Sequence, residues 1–226
     1  MGYLEVDCPE MAVRCLCFAR LGRFCARYHD AVPSFSIRQY GDPVLRQRVP
    51  EVDEIDGRLR QLADDMTETM YDAPGVGLAA PQIGVQKRLF VYDTNDGLGA
   101  RTIVNPVISE ASGEWTFEEG CLSVPGLSWE IVRPKDIHLT GWDLEGNEIS
   151  IDATEYEARV FQHEVDHLDG VLLVERLDPD QRREAKRILR SMDFSSSGSD
   201  PDGLRRLSNG EKRRASDSDR EGPAKL

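Results

Sequence analysis

The stretch from Thr154 to Gly170, TEYEARVFQHEVDHLDG, constrains the chain more than any other. Thr154-x-x-Glu157 has the form of a capping box, and a helical period runs through Tyr156, Val160, His163 and His167 to a stop near Gly170. Four helical residues advance about 400°, so His163 and His167 project from nearly the same face, one turn apart. Both imidazoles can then reach one metal ion, with Glu164 beside them as a base for water. The competing reading is a solvated surface helix that matches a short pattern by accident. Two of only four histidines in the chain fall in this pattern, on a helix argued from other residues.

The rest of the chain divides into three zones. Residues 1–35 form an N-terminal extension that holds Cys8, Cys15, Cys17 and Cys25; within it, Met11 to Tyr28 has four arginines and no acid. A targeting peptide, an amphipathic arm and an upstream start codon all fit it, whereas a secretory signal fits poorly because arginines interrupt the apolar residues. Residues 193–226 are rich in Ser, Asp and Arg with almost no aliphatic content, so a disordered tail is expected. Residues 36–192 carry the periodic segments. Asp53 or Asp56 is placed to cap a helix presenting Leu59, Leu62, Ala63, Met66 and Met70. Strands are expected over Arg88–Tyr92, Thr102–Ile108 and Ile131–Trp142, then a turn at Glu145-Gly146-Asn147 and a return through Ile149 and Ile151. A last helix starts at Asp178-Pro179 and runs to about Met192. This order predicts an α+β fold, with mostly antiparallel sheets around a central metal-binding helix and a C-terminal helix.

Two histidines do not hold a catalytic metal; three protein ligands are usual. Downstream, Gly170 fits an extended histidine pattern, but the ligand position is Leu173; Glu184 lies in a polar run that reads more simply as a solvated face. Upstream stands Cys121, in EEGCLSVPG, where glycine and proline suggest an irregular segment at a strand's edge. A lone cysteine is more often a small buried hydrophobe. The five cysteines show no disulfide framework, which favours a reducing compartment. No apolar run approaches the roughly 20 residues of a membrane span. The net charge of −13 argues against an electrostatic DNA binder, while leaving room for a local basic patch.

GVGLAAPQ (Gly75 to Gln82), EGCLS (Glu119 to Ser123) and QHEVDH (Gln162 to His167) together resemble the three signature motifs of the peptide deformylase family, in its order. The likeness covers about Ile37 to Arg190, and the wording after Cys121 is most similar to that of high-GC Gram-positive bacteria. The resemblance implies that Cys121, His163 and His167 bind one metal ion per chain, Fe²⁺ in the first instance, with Zn²⁺, Ni²⁺ or Co²⁺ able to substitute. It implies Glu164 as general base, with the Gln82 side-chain amide and the Leu122 backbone N–H as oxyanion donors. Without the motif, Gln82 would read as a polar turn residue. Gly77 is expected to let a substrate backbone run alongside, and Val76, Val160 and the face of His163 to line an apolar methionine pocket. Glu119 is placed with the substrate contacts, or alternatively beside the cysteine as a residue that fixes the loop. The helical phase leaves the contribution of Arg159 open.

The implied activity is removal of the formyl group from N-formylmethionine of nascent polypeptides, releasing formate, in the cytoplasm or, if residues 1–35 are a transit peptide, in an organelle. Arg182, Arg183, Lys186, Arg187 and Arg190 read as a solvated helix face or as a contact to the ribosome near its exit tunnel. A zinc endopeptidase and an inactive binding protein on the same scaffold are the rival readings.

Overall fold

A computed structural model of the chain describes residues 35–192. The expected N-terminal extension, apart from Phe35, and the expected tail at 193–226 lie outside the described residues. Among the described residues there are three α-helices, α1 (Gly57–Asp72), α2 (Glu155–Leu168) and α3 (Pro179–Ser191). Seven strands accompany them: β1 (Gly77–Ala79), β2 (Leu89–Tyr92), β3 (Arg101–Ser112), β4 (Trp115–Cys121), β5 (Val124–Arg133), β6 (Asp136–Trp142) and β7 (Glu148–Thr154). Five form an antiparallel sheet in the order β1-β2-β3-β6-β7, and β4-β5 forms a separate hairpin. The expected α+β architecture, with antiparallel sheets and a C-terminal helix, is the one observed.

Strand alternation sorts the core into two layers. Leu89 and Val91 join Leu59, Ala63, Met66 and Met70 of α1 on one side of the sheet. Phe90 and Tyr92 join Ala158, Val160, Phe161 and Val165 of α2 on the other. A third cluster joins Cys121, Val124 and Ile131 of the hairpin to Ala185 and Leu189 of α3. Every residue of α2 from Ala158 to Leu168 is buried, which excludes the solvated-helix reading.

Local chemistry sets the boundaries. The Asp56 carboxylate accepts from the N–H groups of Arg58 and Leu59, so Asp56 rather than Asp53 caps α1. Asp178 caps α3 with Pro179 in its first turn. Ile131–Trp142 is not one strand but two: β5 stops at Arg133 and β6 starts at Asp136, because Pro134 supplies no N–H to a ladder. The Thr154 capping box does not form, since the Thr154 hydroxyl donates to Asp136 Oδ1 (2.6 Å) across the sheet. Among the described residues no helix is long and apolar enough to cross a membrane.

Candidate metal centre

The α2 helix and the end of β4 meet at Cys121, His163 and His167, whose ligand atoms all lie within 4.8 Å of one another. β4 reaches Cys121 through a register shift after Gly120, the irregular strand end expected from glycine and proline. The shift turns a thiol that is only 2% exposed against the histidine face of α2. Cys121 Sγ lies 3.3 Å from His167 Nε2. Ligand atoms on one tetrahedral cation with bonds of about 2.0–2.3 Å are roughly 3.5 Å apart, so this spacing suits two ligands of a single ion.

Buried atoms without protein partners support the fit. His163 Nε2 and both oxygens of Glu164 are buried and unpaired. Such groups cost free energy unless a ligand or water completes them. Electrostatics point the same way. Burial pushes the Cys121 thiol up, but the imidazoles of His167 and His163 outweigh it and bring the thiol down to about 5. Burial pushes His163 down, but Cys121 and Glu119 raise it to about 10. The thiol and the imidazoles shift one another as a coupled unit, and a thiolate with two imidazoles is a donor set for first-row divalent metals. Burial raises Glu164 to about 7, against the pull of the two imidazoles.

Gln82, 1% exposed, sits in a short 3₁₀ turn (Ala80–Ile83) after β1. Its Oε1 accepts from the Ala79 N–H (2.8 Å). That fixes the amide so that Nε2 faces Cys121 Sγ at 3.8 Å and Ser123 Oγ at 3.4 Å. Leu122 follows the cysteine directly and is buried. Val76 and Val160 are buried in the same cluster on the sheet side of α2. Gly77 has a local reason to lack a side chain: a Cβ there would lie 2.3 Å from Glu164 Oε1.

Glu119 is wholly buried. Its Oε1 accepts from Arg133 Nε (2.7 Å) and Arg159 Nη1 (2.7 Å), and its Oε2 from Arg133 Nη2 (3.0 Å). His163 Nδ1 lies 3.0 Å from Oε2, which directs Nε2 to the thiol side. Both oxygens are engaged by protein groups. This arrangement favours, of the two expectations for Glu119, the one that sets it beside the cysteine to fix the loop. Burial pushes its carboxyl up, but His163 and Arg133 hold it well below the usual carboxylate range.

The sequence alone assigns no role to Arg133 or Asp166 and leaves that of Arg159 open. Arg133 Nη1 donates to Asp166 Oδ2 (2.7 Å), and Arg176 also pairs with Asp166. Arg159 had a readable signal: 159, 163 and 167 repeat every four residues, so it shares the histidine face. The rival third ligands are elsewhere. Glu184 is exposed and bonded to Arg187 (2.9 Å), and Leu173 is in the core. His138 pairs with Asp152 (2.6 Å) across β6 and β7, on an exposed surface.

Comparison with known proteins agrees with this geometry. The family model described as Polypeptide deformylase matches residues 34–183. The peptide deformylase of Halothermothrix orenii is 47% identical over 146 residues, covering 65% of this chain and 95% of that protein. That of Acidothermus cellulolyticus is 46% identical over 159 residues, covering 70% and 87%. The solved peptide deformylase of Thermus thermophilus superposes with a TM-score of 0.66 at 45% identity, covering 69% of this chain and 93% of that one. With motifs, fold and ligand triad in agreement, the chain belongs to the polypeptide deformylase family.

Proposed function

We propose that this protein is a metal-dependent hydrolase that removes the formyl group from N-formylmethionine of nascent polypeptides and releases formate. The observation that carries the reading is the convergence of Cys121, His163 and His167 with the unpartnered, buried carboxylate of Glu164. Fe²⁺ is the proposed native ion, one per chain, with Zn²⁺, Ni²⁺ or Co²⁺ as substitutes. When bound, the ion supplies a Lewis acid that makes water a nucleophile near neutral pH. Glu164 accepts a proton from the attacking water and returns it to the departing methionine amine. The Gln82 amide, its far end tied to Ala79 N–H, and the Leu122 N–H stabilise the negative charge that develops on the formyl oxygen. The backbone at Gly77 pairs with the substrate chain, and Val76 and Val160 help to form the methionine pocket.

An endopeptidase would not use Cys121. We expect anaerobically purified protein to release formate from formyl-Met-Ala-Ser with stoichiometric metal, and Cys121→Ala to lose both metal and activity. Metal-loaded protein that leaves this peptide intact would overturn the reading, and a Cys121→Ala protein that keeps its ion would favour the endopeptidase.

Residues 36–192 are the proposed catalytic domain; full activity in a chain trimmed to them would support it, and loss of activity in a folded trimmed chain would not. The cytoplasm is the proposed compartment, with an organelle as the alternative if residues 1–35 are a transit peptide; mass spectrometry of the native N-terminus decides. The basic residues of α3 are a proposed contact to ribosomal RNA or proteins near the nascent-chain exit. Charge reversal of Arg182, Arg183 and Arg187 should then weaken salt-dependent co-sedimentation with ribosomes, and unchanged co-sedimentation would remove the proposal.

A further inference from the structure

Three guanidinium groups and two carboxylates form a connected chain behind His163. Arg176, with a side chain 46% exposed, pairs with Asp166; Asp166 pairs with Arg133; Arg133 grips both oxygens of Glu119. A bidentate arginine already satisfies a carboxylate in charge and geometry. Glu119 nevertheless receives a second one, Arg159, with a side chain 0% exposed. Burying an additional guanidinium is costly unless its hydrogen bonds and charge are compensated. Here Nη1 also donates to the Ile131 carbonyl (3.0 Å), and Nη2 to that of Trp115.

The two arginines hold Glu119 to different frames. Arg133 is shared with Asp166, and through it with the half-exposed Arg176, so alone it would let Glu119 follow a chain that ends in solvent. Arg159 stands one turn before His163 on the same helix, and backbone carbonyls of both hairpin strands fix its guanidinium. It therefore sets the position of the Glu119 carboxylate relative to the imidazole that Glu119 must orient. Resting on the metal-hydrolase reading above, we propose that Arg159 is a positioning residue for the metal ligand His163, acting through Glu119. It keeps the proton on Nδ1 and the Nε2 lone pair aimed at the ion.

The experiment compares the full-length chain with its Arg159→Leu and Arg159→Lys variants. Zn²⁺ affinity is measured by chelator competition well below each melting temperature, and the His163 tautomer by ¹⁵N chemical shifts of histidine-labelled protein. Loss of a partner behind a metal ligand typically weakens binding 10–100-fold. We expect a loss of that order in Arg159→Leu, a mixed His163 tautomer, and partial recovery of both in Arg159→Lys, which restores one cationic donor. A structural clamp would lower the melting temperature and leave both readouts unchanged. A folded Arg159→Leu protein with parental affinity and tautomer overturns the proposal. If that variant does not fold, Arg159→Lys decides: a metal affinity reduced by several-fold supports the proposal, and parental affinity overturns it. A parental chain that binds no Zn²⁺ or Co²⁺ would instead sink the metal-hydrolase reading itself.

Discussion

Gly77 and Glu164 compete for the same space, since a Cβ on residue 77 would fall 2.3 Å from the Glu164 carboxylate. Gly77→Ala should displace that carboxylate by a substantial fraction of an ångström. A misplacement of about 1 Å costs on the order of 10²-fold in rate, so kcat should fall by about that factor while bound metal stays at one equivalent. Glu164→Gln keeps the shape of the side chain and removes its basicity. It should lower kcat by roughly 10²–10⁴-fold with metal content unchanged, as read by formate release beside elemental analysis. The His163-Glu164-His167 pattern was legible because its residue types at helical spacing suit one chemistry, whereas the roles proposed for Cys121 and Gln82 came only with the resemblance of their motifs. Arg133 and Asp166 were not legible, and Arg159 was so only as a member of the histidine face. A charged residue ordinarily faces water, and only tertiary packing reveals that these are buried against one another.

At the level of elements, the turn after α2 fixes how the histidine helix enters the core. Gly170 has φ +73°, its N–H reaches the His167 carbonyl (3.2 Å), and the Val171 N–H reaches that of Asp166 (2.8 Å), a Schellman arrangement. A Cβ on Gly170 would lie 2.7 Å from the backbone of Arg46. Gly170→Ala therefore combines left-handed strain with a backbone clash, and should destabilise the protein by roughly 2 kcal/mol in denaturant unfolding. The helices were readable because Asp56, Gly170 and Asp178-Pro179 mark their ends in local chemistry. The division of Ile131–Trp142 at Pro134 was not read, because Ile131 before it and Ile137 and Leu139 beyond it fall on the same phase of a two-residue period. The Thr154 box failed for a related reason: its hydroxyl has a non-local acceptor in Asp136 that no sequence window shows.

For the molecule as a whole, the layer between the sheet and α2 predicts an alkaline limit to stability. Tyr92 packs edge-on against Phe161 with centroids 4.8 Å apart, and burial pushes its phenol up to about 12. A folded-state pKa above the unfolded value near 10 means that the neutral phenol's contribution is complete below pH 10. It is lost as pH rises towards 12, on the order of 2 kcal/mol for a shift of this size. Unfolding free energy should therefore decline across that interval, and Tyr92→Phe should flatten the decline. An identical slope in the variant would show that other groups govern it.

The triad draws its sulfur from the end of a two-stranded hairpin and its nitrogens from a helix, with Cys121 and His167 46 positions apart in sequence. An ion shared by all three works as a removable cross-link. Closing a loop of that length restricts the unfolded chain by on the order of 4 kcal/mol, by analogy with a disulfide. Chelation should then free the β4–β5 hairpin before it loosens α2, seen as faster amide exchange at Trp115 to Arg133. A cell short of metal would hold a protein more open to proteolysis as well as one without activity.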